Sequence, residues 1–276
     1  MQVIILNDGN LLPAIGFGTY TLKGAAGVNA ITNALENGNR LIDTAVNYEN
    51  EGAVGTAIRR ANISRVNLTV TSKLPGRNYQ RSAAIQTIQE SLYRTGLDYF
   101  DLYLLHWPNP QADQYVEAWQ TLIDAQKYGL VRSIGVCNFE PEYLDRLAAE
   151  TGARPVVNQV ELHPYFNQEK VRAYDQQHQI VTEAWSPLGR AGQVLKDPTL
   201  VAIARHHHKS VPQVILRWQI QLKVVPIPKS QDSQRQQANL AVFDFELSPE
   251  EMTKINQLTR PDGRSHDQDP RVYQEF

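Results

Sequence analysis

Short apolar runs alternate with longer stretches of helical period along nearly the whole chain. The runs fall at residues 15–17, 41–42, 68–71, 100–105, 131–136, 156–160, 180–184 and 224–227. Runs this short and this continuously apolar suit parallel strands buried on both faces. Between them lie helical patterns at 28–37, 50–61, from Ser82 through Leu92, and at 115–127, 141–149, 169–178, 211–221 and 233–240. Within 50–61, Val54, Ile58 and Ala61 share one face. A strand followed by a helix, eight times over, predicts an α/β fold in which a parallel sheet closes into a (β/α)8 TIM barrel.

Three segments stand outside the repeat. Residues 3–12 read as an N-terminal β-hairpin around the turn Asn7-Asp8-Gly9-Asn10. Residues 186–208 form a long insertion with a helix from Pro198, and Ser248-Pro249-Glu250-Glu251 opens another helix. There Ser takes the N-cap, Pro the first helical position, and acids the first turn. The barrel therefore carries two extra helices, and the tail 260–276 reads as polar and irregular. With no linker in sight, residues 1–276 are expected to form one barrel domain, since α/β barrels of about 250 residues run as single domains.

Composition narrows the function classes. Net charge is −2, so there is no basic excess to hold nucleic acid or an anionic membrane, and any anion binding must be local. No apolar run approaches the roughly 18 residues of a membrane helix, and the N-terminus lacks the basic flank of a signal peptide. The one cysteine, Cys137, rules out an intramolecular disulfide and fits a reducing compartment. The expectation is a cytoplasmic monomer whose partner is a small molecule.

In such barrels chemistry gathers where the strands end. The apolar runs here end, in order, in Asp43, Lys73, His106-Trp107-Pro108, Cys137-Asn138, Asn158-Gln159, Trp185-Ser186 and Lys229-Ser230. Asp43, Tyr48, Lys73 and His106 are the informative group. Tyrosine alone, with a pKa near 10, is a poor acid at neutral pH. The Lys73 ammonium beside it would lower that value, and Asp43 would hold Lys73 in place and charged. Tyr48 could then protonate a carbonyl oxygen while hydride reaches its carbon. His106 could orient the carbonyl and stabilise its developing charge. Taken singly each residue has an ordinary structural role; their order on successive strand ends favours a site.

Longer motifs then become recognisable: Gly16-Phe17-Gly18-Thr19, Asp43-Thr44-Ala45 with Tyr48, Thr71-Ser72-Lys73-Leu74, Leu105-His106-Trp107-Pro108, Gly135-Val136-Cys137-Asn138-Phe139, Asn158-Gln159-Val160-Glu161, Ala184-Trp185-Ser186-Pro187 and Ile227-Pro228-Lys229-Ser230. Together they resemble the aldo-keto reductase family. The likeness runs from residue 3 to about 258 and is strongest to compact microbial members acting on small carbonyls, the 2,5-diketogluconate reductases among them. It implies a catalytic tetrad of Asp43, Tyr48, Lys73 and His106, and NADPH lying extended across the barrel mouth. The sequence agrees on the second point, since no G-x-G-x-x-G follows a strand.

The resemblance also implies the cofactor contacts: Thr19 at the mouth, Asn138 and Gln159 on the carboxamide, Trp185 stacked on the nicotinamide, and Ser186 and Leu188 near the pyrophosphate. Lys229, Ser230 and Arg235 would meet the ribose 2′-phosphate, and Asn239 the adenine. Two cations placed there favour NADPH over NADH, because a phosphate dianion rewards charge-assisted hydrogen bonds. Tyr20 and Trp107, with the tail near Tyr273, would line the substrate pocket. Tyr20, Glu49, Cys137 and Ala238 depart from common family residues, which touches affinity and substrate choice rather than reaction type.

No metal is expected. His206-His207-His208 are consecutive, and neighbours on a helix diverge, so they read as a solvated helix end. Cys137 reads as half-buried and His163 as structural. The competing readings are a barrel lyase with Lys73 as Schiff-base nucleophile, a non-catalytic NADPH sensor on the same fold, and a metal-dependent hydrolase, which lacks a His-x-His at the first strand end.

Overall fold

Each apolar run becomes a strand in the computed structural model, which describes residues 2–275. The strands are β3 (Phe17–Gly18), β4 (Leu41–Asp43), β5 (Thr69–Leu74), β6 (Phe100–Leu105), β7 (Val131–Cys137), β8 (Val157–Glu161), β9 (Val181–Trp185) and β10 (Val225–Pro226). All neighbours pair in parallel, in the order β3 to β10. The ring is closed by Gly16 and Gly18, whose backbone N–H groups donate to the carbonyls of Pro226 (2.9 Å) and Pro228 (3.0 Å). Proline has no N–H, so these two positions only accept, which explains why the last strand is so short. The eight-stranded (β/α)8 barrel is as the repeat predicted.

Ahead of the barrel, β1 (Val3–Ile5) and β2 (Leu11–Pro13) pair antiparallel as the expected hairpin. Leu6 and Leu12 pack with Leu41, Leu102, Leu104, Val157 and Val225, so the hairpin plugs the barrel floor. Asn10 and Asp8 fasten it to the Ser133 hydroxyl on β7 (2.9 and 2.7 Å). The floor is thus dry and filled, and chemistry is left to the opposite mouth.

The helices are α1 (Gly24–Glu36), α2 (Glu51–Arg60), α3 (Arg81–Thr95), α4 (Tyr115–Lys127), α5 (Pro141–Thr151), α6 (Glu169–Gln177), α7 (Pro198–His206), α8 (Val211–Gln221), α9 (Ser233–Leu240) and α10 (Pro249–Asn256). The two outside the repeat are α7 and α10. Each opens on a side-chain cap: Asp197 accepts from the N–H of Thr199 and Leu200, and Ser248 forms a capping box with Glu251. Trp119 and Trp218 are fully buried packing residues, as their helical spacing indicates. None of the described helices is long and apolar enough to cross a membrane. The tail contains one short 3-10 turn, Ser265–Asp267, and is otherwise irregular; Phe276 lies outside the described residues.

The histidine run departs from expectation. His206 Nδ1 and His207 Nε2 both lie 3.0 Å from the Glu251 carboxylate. The three ligand-type atoms sit within 4.8 Å of one another, although His206 and His208 are exposed as expected of a solvated helix end. Divergence of neighbours holds only inside a helix, and α7 ends at His206, so the backbone at His207 turns its ring back. Burial would raise the Glu251 carboxyl, but the two imidazoles and the Ser248 N–H outweigh it and bring it down to about 2. A carboxyl depressed on folding contributes stability above its unfolded value, lost as pH falls through the folded one. Glu251→Gln is therefore expected to cost on the order of 2 kcal/mol near pH 6 and a clearly smaller amount near pH 2.5, where the contribution is part-way lost. Urea unfolding at the two pH values checks this; an equal cost at both would contradict it.

Candidate active site

Lys73 lies on β5 with its side chain fully buried inside the barrel. A bare ammonium there is prohibitive, and its surroundings answer this. Its Nζ donates to Asp43 Oδ1 (2.7 Å) and Oδ2 (2.8 Å) at the end of β4, and to the Thr44 carbonyl (2.8 Å). Burial alone would lower the Lys73 pKa; the Asp43 carboxylate, with Tyr48, raises it on balance. The lysine stays charged, as the order of residues on the strands suggested.

Tyr48 closes the 3-10 turn Val46–Tyr48 just beyond β4. The residue is half-buried, but its hydroxyl lies at the deep end, 3.4 Å from Lys73 Nζ, with the ammonium 4.9 Å from the ring centroid. Lys73 favours the phenolate as the sequence suggested, but burial outweighs it. Burial of the phenol raises its pKa to about 12, and Lys73 offsets this only in part. Low dielectric disfavours phenolate more than a lysine already neutralised by Asp43 can favour it. Glu49 sits in the left-handed region at φ 53°, which favours glycine, and pairs with Lys23 (2.6 Å).

The His106 ring stands edge-on to Tyr48, with centroids 5.9 Å apart. Its Nδ1 faces the carboxylate of Glu275 at 2.6 Å. All four expected tetrad members thus meet at the barrel mouth. Tyr20 stacks edge-on against Tyr48 (5.1 Å), and Trp107 packs between Trp185 (6.5 Å) and Tyr273 (4.4 Å). The Tyr79 hydroxyl fixes Trp107 by donating to its carbonyl.

The residues expected to hold the cofactor differ in burial and in the partners they keep. Gln159 is buried; its Nε2 bridges Asp43 Oδ2 (2.8 Å) and Glu183 Oε2 (2.9 Å), which leaves its carbonyl oxygen free. Asn138 donates to the His106 carbonyl (3.1 Å) and accepts from the Trp185 indole (2.8 Å), so one Oδ1 lone pair remains. Asn138 and Ser186 take left-handed backbone (φ 62° and 48°). Ser186 and Leu188 are half-buried beside Trp185, while Ser230 and Asn239 are buried, the first in the loop before α9 and the second within it. Lys229 and Arg235 are exposed and have no carboxylate partner among the described residues; Lys229 reaches only the Thr21 hydroxyl at 3.4 Å. For cations without a carboxylate partner an anion is the natural complement. Thr19 departs from expectation: it is fully buried and its hydroxyl is spent on the Asp43 carbonyl (2.9 Å), so it braces β4 from beneath.

Cys137 is fully buried rather than half-buried, and burial pushes its thiol well up, which fits an unreactive packing role. His163 is buried on Glu161 (3.1 Å), as a structural histidine should be. Two carboxylates escaped the sequence reading. Glu183 lies inside the barrel on β9, where burial and then the Asp43 charge push it up to about 8; alternation along 180–184 was the only clue that it points inward. Glu275 sits in the irregular tail, where no periodicity reports on direction.

Three comparisons agree on the relatives. The pattern of the Aldo/keto reductase family matches residues 14–260. The chain is 48% identical to 2,5-diketo-D-gluconic acid reductase B of a Corynebacterium species, covering 100% of this chain and 99% of that one. It is 43% identical to a methylglyoxal reductase of Salmonella typhimurium, over 93% of each. Among solved structures it is similar to a Bombyx mori aldo-keto reductase in complex with NADP, with a TM-score of 0.91, 38% identity, and coverage of 100% and 98%. It is also similar to an aldo/keto reductase of Brucella melitensis, with a TM-score of 0.90, 43% identity, and coverage of 93% and 99%.

Proposed function

The chain belongs to the aldo/keto reductase family and is an NADP-dependent oxidoreductase acting on carbonyl groups; from that premise we propose that it reduces small aldehydes, α-ketoaldehydes or keto-sugars to alcohols, with Tyr48 as the proton donor. The observation that carries the reading is the buried chain Asp43–Lys73–Tyr48 beside His106 at the open end of the barrel.

The bound dinucleotide supplies the hydride. The protein's part is to place and protonate. Asn138 and Gln159 would hold the carboxamide through the lone pairs left free, Trp185 would face the ring, and Ser186 and Leu188 the pyrophosphate. Lys229, Ser230 and Arg235 would take the 2′-phosphate, with Asn239 at the adenine. Tyr20, Trp107 and Tyr273 would wall in the carbonyl and exclude water. Tyr48 passes its proton to the carbonyl oxygen, and Lys73 steadies the phenolate left behind. His106 would hydrogen-bond the same oxygen.

A Schiff-base lyase needs a neutral amine, and Lys73 is held charged. A mere sensor would have no use for a complete tetrad. The same reading takes residues 1–276 as one domain that works as a monomer, since its own tail completes the mouth. It places the chain in the reducing cytoplasm, where a buried free thiol such as Cys137 is at home.

The test is the loss of reduced-nicotinamide absorbance against a panel of small carbonyls, with NADPH and NADH in parallel. Turnover that favours NADPH is expected. Lys229→Ala and Arg235→Ala should each raise KM for NADPH by about 10-fold, the loss of one charge-assisted phosphate contact, and hardly change KM for NADH. Equal effects on both cofactors would remove the phosphate role; no turnover with any carbonyl would remove the enzyme reading.

A further inference from the structure

The tail carries a buried carboxylate for which the proton-transfer roles above have no place. Glu275 Oε1 lies 2.6 Å from His106 Nδ1 and accepts from Asn47 Nδ2 at 2.6 Å. Its Oε2 accepts the Gly76 N–H at 3.0 Å. Its backbone is clamped on both sides by the Asn109 amide, which accepts from the Glu275 N–H (3.0 Å) and donates to its carbonyl (2.8 Å). The fit is tight: a Cβ on Gly76 would fall 2.0 Å from that amide. Five hydrogen-bonding or charge contacts on one residue of the tail are far more than a loose tail needs.

The charge state follows from these partners. Burial would raise the Glu275 carboxyl, but His106, the Gly76 N–H and Asn47 bring it below the usual carboxylate range, so it is an anion. An Nδ1 lone pair facing that anion at 2.6 Å would be repulsive, so the proton belongs on Nδ1. The oxygen lies off the axis of the ring N–H, so charge holds the pair more than an aligned hydrogen bond does. A ring whose single proton is on Nδ1 offers only a lone pair at Nε2. To donate to a carbonyl oxygen, Nε2 needs a second proton, and the ring then carries a charge that a carboxylate at this distance offsets.

We propose that Glu275 is a positioning residue for carbonyl reduction: it fixes the His106 ring with a proton on Nδ1 and supplies the counter-charge that lets Nε2 donate to the carbonyl oxygen. The tail thereby completes the site chemically, beyond serving as a wall of the pocket. This rests on the reading of His106 as the carbonyl-orienting group.

The experiment uses the full chain with Glu275→Gln, Glu275→Ala and Glu275→Asp, saturating NADPH and one small aldehyde. Glutamine keeps the shape and removes the charge, so kcat should fall about 10-fold or more with KM for NADPH unchanged. Alanine should fall further, aspartate should recover part of the loss, and added formate should restore part of the alanine variant's kcat. Nitrogen NMR of the imidazoles, with His106→Asn to assign the signal, should show Nδ1 protonated in the wild type and a mixed tautomer in the alanine variant. Wild-type kcat in Glu275→Gln, or a rise in carbonyl KM alone, would overturn the proposal, as would an unprotonated Nδ1 in the wild type. If the wild type reduces no carbonyl at all, the functional reading falls instead, and the NMR still decides where the proton is.

Discussion

Tyr48→Phe is expected to lower kcat for every carbonyl substrate by about 100- to 10,000-fold while NADPH affinity stays nearly unchanged. The substitution removes one oxygen and keeps the ring that packs against Tyr20 and His106. Among the described residues, the only polar contact the hydroxyl makes is the 3.4 Å approach of Lys73, which has three shorter partners and stays satisfied without it. Stability should therefore change little, and the loss can be read as lost proton transfer. With its pKa raised to about 12, the phenol keeps its proton throughout the neutral range. A developing alkoxide is a stronger base than phenolate, so transfer remains downhill even from so weak an acid. Fluorescence titration with NADPH, beside steady-state turnover, separates binding from chemistry. Comparable turnover by the variant would remove Tyr48 from the mechanism.

The frame of the site was legible because parallel strands buried on both faces leave a strong mark. A continuous apolar run that stops at Asp43, Lys73 or His106 fixes both the strand and the end at which its polar neighbour emerges. The caps of α7 and α10 were equally plain, since Asp-Pro and Ser-Pro-Glu-Glu state their geometry locally. What stayed hidden depends on balances or on distance along the chain. The sign of the Tyr48 shift turns on how far burial outweighs a neighbouring charge, and sequence gives the neighbour but not the depth. Thr19 matched a motif, yet only the fold shows its hydroxyl spent beneath Asp43. Glu275 meets His106 from 169 positions further along the chain, in a tail with no period to reveal where it points.

Lys73→Met should cost about 3–5 kcal/mol of stability as well as most of the activity, and the two losses should be separable. Methionine fills the same volume but leaves Asp43 with only the Gln159 amide (2.8 Å) in a buried site. That amide is shared with Glu183 (2.9 Å), so two carboxylates would face each other with no cation between them. Glu183 is already pushed up to about 8 in the presence of Lys73, first by burial and then by Asp43. Without the lysine Glu183 should hold its proton to still higher pH when folded. In the unfolded chain it ionises in the ordinary carboxylate range, so the folded state binds more protons and stability falls as pH rises. The variant should therefore lose stability from pH 5 to pH 8 more steeply than the wild type. Adding Asp43→Asn to Lys73→Met removes the stranded charge. The double variant should regain much of the stability and none of the turnover, because Tyr48 then has no ammonium to steady its phenolate. Denaturant unfolding at both pH values, with turnover on the same samples, gives the comparison. If the double variant is as unstable as the single one, the cost lies in packing rather than charge; if it turns over like the wild type, the Lys73–Tyr48 coupling has no part in catalysis.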